Sequence, residues 1–102
     1  MSPPQVTVLM AVYNGARFLR DAVDSILNQT MPDFEFLIID DGSTDETPRI
    51  LAGYRDLRFR IVRQQNAGLA ASLNHGLRLA QADLVARMDA DDIALPQRLE
   101  QQ

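Results

Sequence analysis

Phe34-Glu35-Phe36-Leu37-Ile38-Ile39-Asp40-Asp41-Gly42-Ser43 decides the fold. A nearly continuous apolar run stops abruptly at two carboxylates and a glycine. Such runs belong to strands covered on both faces, the situation of a parallel sheet enclosed by helices. Gly42 supplies a turn, and Ser43 three residues before Glu46 is a capping-box pattern that predicts a short helix carrying Ile50, Leu51 and Tyr54. Pro48 is tolerable in its first turn.

The flanking sequence repeats this alternation. Val6-Thr7-Val8-Leu9-Met10-Ala11-Val12 is a second apolar, β-branched run, broken by Asn14-Gly15. From Arg17 onward, Phe18, Leu19, Ala22, Val23, Ile26 and Leu27 recur at helical spacing and are expected in the core. Phe59 to Arg63 alternates as a third strand. Asn66-Ala67-Gly68 then leads into a helix with Leu69, Leu73, Leu77 and Ala80 on one face. Leu84 to Met88 is a fourth strand that delivers Asp89-Ala90-Asp91-Asp92, and another helix should start near Pro96. The order βαβαβαβ predicts an α/β fold: a Rossmann-like parallel sheet with helices on both faces, joined by right-handed crossovers. Ligands of such sheets sit outside the carboxyl ends of the strands.

Composition narrows the chemistry. The 102 residues suffice for one domain, and 46% hydrophobic against 24% charged residues is a globular balance. The formal net charge of -4 supplies no basic face, which argues against a nucleic-acid partner. There is no cysteine, and every one of the ten basic residues is arginine, so thiolate and amine mechanisms are both excluded. No stretch approaches the roughly 20 apolar residues of a membrane span, and the first residues lack a signal-peptide pattern. The expectation is a soluble cytoplasmic chain, at most peripheral to the inner face of the membrane. The single histidine, His75, and the arginines Arg55, Arg58, Arg60 and Arg63 read as surface residues.

Five carboxylates remain to be explained: Asp40 and Asp41 after one strand, and Asp89, Asp91 and Asp92 after another. Gathered at one sheet edge they repel unless a cation is shared among them. Hard carboxylate oxygens suit a divalent metal, Mg or Mn, with positions left for phosphate oxygens. Taken singly, each is as well explained as a helix cap or turn residue.

The motifs together resemble a known family. Val8 to Asn14, Ile26-Leu27-Asn28-Gln29-Thr30, Ile38 to Asp45, Asn66-Ala67-Gly68-Leu69-Ala70, Ala86 to Asp92 and Pro96-Gln97-Arg98-Leu99-Glu100 are similar, in order and spacing, to the opening of family 2 glycosyltransferases. The resemblance implies the nucleotide-sugar-binding half of a GT-A fold over residues 1–102, with the acceptor-binding part absent. Ala11, Val12, Tyr13 and Asn14 would line the base and ribose pocket, Asp41 would face the base with Asp40 beside it, and the loop around Gly68 would approach the nucleotide. Asp89 and Asp91 would form an Asp-x-Asp signature, Asp91 reaching the metal and diphosphate and Asp89 the ribose or sugar, with Asp92 a second metal ligand. The implied reaction is an inverting transfer from a nucleoside-diphosphate sugar, most often a UDP-sugar, to a hydroxyl of a saccharide or lipid-linked acceptor, as in polysaccharide biosynthesis. Its catalytic base is expected beyond Gln102.

Other βαβ enzymes lack support. A phosphate-binding Gly-x-x-x-x-Gly-Lys loop is absent, and Asn14-Gly15-Ala16 does not continue as a dinucleotide fingerprint. A receiver domain needs a lysine. The competing reading is a nucleotide-binding or interaction fragment without catalysis, prone to self-association through an exposed sheet edge.

Overall fold

A computed structural model describes residues 4–28, 33–56 and 58–89. Its elements alternate as expected: β1 (Val6–Val12), α1 (Ala16–Leu27), β2 (Phe34–Asp40), α2 (Thr47–Ala52), β3 (Phe59–Arg63), α3 (Leu69–Leu79) and β4 (Leu84–Asp89). The four strands form one parallel sheet in the order β3-β2-β1-β4. The chain moves outward from β1 to β3, then returns through α3 to place β4 on the other side of β1. The order therefore reverses between β1 and β4, and at such a switch point the flanking loops diverge and leave a crevice.

Strand alternation assigns the two faces. Val6, Val8, Met10 and Val12 of β1 and Phe34, Phe36 and Ile38 of β2 form one core with Leu19, Ala22, Val23 and Ile26 of α1 and Ile50 and Leu51 of α2. Leu9, Leu37 and Ile39 point the other way, toward Leu73 and Leu79 of α3. All seven residues of β2 are buried, as a central strand with both faces covered requires.

Three local expectations fail. Ser43 does not cap α2, which starts only at Thr47 with Glu46 as its N-cap. The Ser43 hydroxyl instead accepts the Asn14 amide at 2.9 Å. Nor is the leucine stripe of α3 its buried face: Leu69 and Leu77 are exposed, while Ser72 and Gly76 are the buried residues. A Cβ on Gly76 would lie 2.3 Å from Leu9 Cδ1, so small residues let α3 approach β1 more closely than leucines allow. Phe18 likewise lies outside the core, half exposed, with the Arg17 guanidinium 5.3 Å from its ring centre.

Candidate functional site at the carboxyl ends of the strands

The loops after β1 and β2 are clamped together. Asn14, at φ 52, takes the left-handed conformation that asparagine tolerates better than most residues. Its Oδ1 accepts the backbone amides of Thr44 and Asp45 at 2.7 and 3.2 Å. Gly15 N donates to Thr47 Oγ1 and Ala16 N to Asp45 Oδ2. Asn14 thus spends its side chain on shaping the loop pair, whereas Ala11, Val12 and Tyr13 line a cavity together with Asp41, Leu69 and Ser72. At about 70 Å³ this cavity is small for a whole ligand and suits the edge of a planar group. Tyr13, half exposed, stands at its rim.

Asp40 and Asp41 have different partners. Asp40, on the last residue of β2, is 1% exposed; its Oδ1 accepts Ser43 N at 3.0 Å and its Oδ2 accepts Arg63 Nη1 at 2.9 Å. Arg63 also donates to Ser43 O. Asp40 is therefore used in closing its own turn. Asp41 reaches the segment that enters α3. Oδ1 accepts Gln64 Nε2 and Ala67 N, both at 2.8 Å, and Oδ2 accepts Gly68 N at 2.9 Å and Asn66 Nδ2 at 3.2 Å. Burial pushes the Asp41 carboxyl up, but the Gln64 side chain and the Ala67 and Gly68 amides outweigh it and hold the pKa below the ordinary 3.8.

These partners correct one inference from sequence. Asp40 and Asp41 do not need a shared cation, because arginine, side-chain amide and backbone donors already balance each of them. Arg58, Arg60 and Arg63 are likewise not freely solvated: they pair with Asp56, Glu35 and Asp40. His75 is half buried, its Nδ1 2.7 Å from Gln64 Oε1.

Gly42 and Gly68 make the loop approach possible. Gly42 sits at φ +76, and a Cβ there would lie 2.8 Å from Asn66 N. The turn after β2 and the segment before α3 thus touch backbone to backbone. Gly68, at φ +96, is the N-cap of α3 and presents its amide to Asp41.

The fourth strand completes the crevice. Asp89 ends β4 and is paired in register with Ala11 of β1. The backbone that leads into Asp91 and Asp92 therefore leaves the sheet beside a residue of the cavity. Asp91 and Asp92 themselves lie outside the described residues, as does Pro96. Among the described residues, no three acidic or histidine groups are placed to hold a metal ion. None of the described helices is long and apolar enough to cross a membrane.

Sequence reasoning singled out Ala11, Val12, Tyr13 and Asp41, which the fold brings together, and missed Leu69, Ser72 and Gln64. Ser72 and Gly76, small residues four apart on a leucine-rich helix, were the available signal for the true buried face of α3.

Comparisons with known proteins agree with this architecture. The profile for Glycosyl transferase family 2 matches residues 7–102. The chain is 45% identical over 105 residues to the putative glycosyltransferase EpsE of Bacillus subtilis (strain 168), covering 99% of this chain and 38% of that protein. It is 39% identical to the uncharacterized glycosyltransferase MJ1057 of Methanocaldococcus jannaschii, covering all of this chain and 37% of the relative. The chain thus spans under two-fifths of the curated relatives it matches. Among solved structures it is similar to S. aureus TarS 1-349 in complex with UDP-GlcNAc, with TM-score 0.90 and 27% identity over 95% of this chain and 29% of that one. It is also similar to the mannosyltransferase PcManGT from Pyrobaculum calidifontis in complex with GDP-Man and Mn²⁺, with TM-score 0.84 and 32% identity over 97% of this chain and 31% of that one. With the parallel sheet, the reversal of strand order beside β1 and the matching profile in agreement, the chain belongs to glycosyltransferase family 2 and has the α/β architecture of the N-terminal part of a GT-A fold.

Proposed function

We propose that this chain binds a nucleoside-diphosphate sugar at the carboxyl ends of β1, β2 and β4, as the donor-binding part of an inverting glycosyltransferase. One observation carries the reading. A cavity lined by Ala11, Val12, Tyr13 and Asp41 opens beside the residue pair Ala11 and Asp89, where the strand order reverses. Similarity to structures holding UDP-GlcNAc and GDP-Man supports the ligand class.

In this reading the base enters the cavity, with Tyr13 against its face. Asp41 already accepts four donors, about the capacity of a carboxylate. A base N–H therefore gains its acceptor by displacing Asn66, whose 3.2 Å bond is the longest of the four. The ribose and diphosphate then run from Ala11 toward the end of β4, where Asp89 meets the ribose or sugar and Gly68 borders the nucleotide.

Asp91 and Asp92, which follow β4 in the sequence, would hold a divalent cation, Mg²⁺ or Mn²⁺, for which their hard oxygen donors are suited. When bound, such an ion neutralises charge on the leaving diphosphate. The acceptor hydroxyl adds to the sugar C1 from the face opposite the C1–O bond that breaks, inverting the centre and releasing the nucleoside diphosphate. Its proton passes to a general base.

Calorimetric titration with UDP, with and without Mn²⁺, tests the proposal on the wild type and on Asp91→Ala. Binding that needs Mn²⁺ and is lost in the variant is the expected result. A folded wild-type chain that takes up no UDP in either condition refutes it.

A further inference from the structure

Asp41 does not stand alone at the wall of the cavity. Its partner Gln64 also lines a second opening, of about 300 Å³, with Gln65, Ala67, Ala71, His75 and Arg78. The Gln64 Nε2 lies 2.8 Å from Asp41 Oδ1 and 3.1 Å from Ser72 Oγ, and its Oε1 lies 2.7 Å from His75 Nδ1.

A carboxamide has two ends, and three neighbours decide which way this one points. The Asp41 carboxylate only accepts, so it requires the NH₂ end. The Ser72 hydroxyl donates its proton to Gly68 O at 2.9 Å, so it too can only accept from Gln64. Oε1 then faces His75, and an oxygen there requires that Nδ1 carry hydrogen. Neutral His75 is accordingly the Nδ1–H tautomer, and the imidazolium presents the same donor, so the contact persists in either charge state. A partner without a donor at this position would leave Oε1 without its protein partner and hold the amide only by its NH₂ end, loosening its grip on the carboxylate.

We propose that His75 and Gln64 are positioning residues for the donor site: His75 fixes the Gln64 amide, and Gln64 fixes the carboxylate that organises the Asn66-Ala67-Gly68 segment and meets the base. The sugar-nucleotide role of this relay rests on the functional reading above; the relay itself does not.

The test compares His75→Leu with His75→Asn, two neutral side chains of similar size, of which only asparagine carries an N–H near the position of Nδ1. Nitrogen NMR of the wild-type chain without nucleotide should show His75 as the Nδ1–H tautomer. In His75→Leu, amide exchange at Ala67 and Gly68 should quicken about fivefold, the equivalent of one lost hydrogen bond, and UDP should bind about fivefold more weakly. His75→Asn should restore both to within about twofold. An Nε2–H tautomer, or equal exchange at Ala67 and Gly68 in the two variants, overturns the relay. These two readouts need no nucleotide, so a wild-type chain that ignores UDP removes the functional reading while the relay is still decided. Wild-type affinity for UDP in His75→Leu, with exchange altered, would show that the relay does not serve the donor site.

Discussion

Two buried carboxylates sit at opposite ends of the same sheet. Glu35, near the start of β2, accepts Thr7 Oγ1 at 2.9 Å and Gln81 N at 3.1 Å, and pairs with Arg60 at 3.4 Å. Asp41, just past the end of β2, accepts two side-chain amides and two backbone amides from the 64–68 segment. Both are saturated, and both tie together distant parts of the chain. They differ in what surrounds them. Glu35 joins strand to strand and strand to the α3–β4 connection, whereas Asp41 joins one loop to another and lines a cavity. Saturation alone thus does not mark a functional acid. An acid whose partners are themselves loop amides beside an opening can exchange one of them for a ligand.

The largest expected break in this comparison is Glu35→Ala. It removes the acceptor of the Thr7 hydroxyl, which keeps only the Ala82 amide as a partner among the described residues, and that of the Gln81 amide. It also breaks the ion pair of Arg60, which keeps Leu79 O. Loss of a buried, multiply bonded acid costs about 2–4 kcal/mol. Chemical denaturation should show that loss, while UDP affinity of the remaining folded chain stays as in the wild type. A change in affinity would mean that the two ends are coupled.

Gly42→Ala attacks the other end. The positive φ and the 2.8 Å approach of Asn66 N oppose any side chain, at a cost of about 1–3 kcal/mol. The loop must move to admit the methyl group, so here UDP binding should fall together with stability. An intact affinity would separate the loop contact from the site.

A smaller effect follows from acidity. The Arg58 side chain, opposed by burial, holds Asp56 at about 2, and Asp41 and Asp45 also lie below 3.8. These folded-state values lie below those of the unfolded chain. Their stabilisation is complete above about pH 4 and is lost as pH falls through the folded values. Asp56→Asn should therefore lower stability at pH 7 by on the order of 1 kcal/mol and by progressively less toward pH 2. Urea midpoints measured across that range should converge. A constant gap between variant and wild type contradicts the assignment of the shift to the Arg58 pair.

The strands were legible because β1 and β2 are dense apolar runs and β3 alternates, and β1 and β3 span the residues that the pattern predicts. Helix α3 was legible as a helix but not in its orientation. Large apolar residues dominate a periodicity reading, yet Ser72 and Gly76 face the sheet because only small residues admit Leu9. Repulsion at Asp40 and Asp41 was overestimated for a related reason. The donors to Asp41 come from residues 23 to 27 positions along the chain, and no local pattern announces them. Asp41 as a cavity residue came from the family resemblance; its saturation came only from the fold.

The most direct test is to follow the backbone amides of the chain by NMR during addition of UDP and Mg²⁺. The account predicts shifts concentrated at Ala11, Val12, Tyr13, Asp41 and the segment from Ala67 to Ser72, with Thr7, Glu35 and Gln81 unmoved. Shifts gathered around Glu35, or none at all from a folded chain, would contradict it.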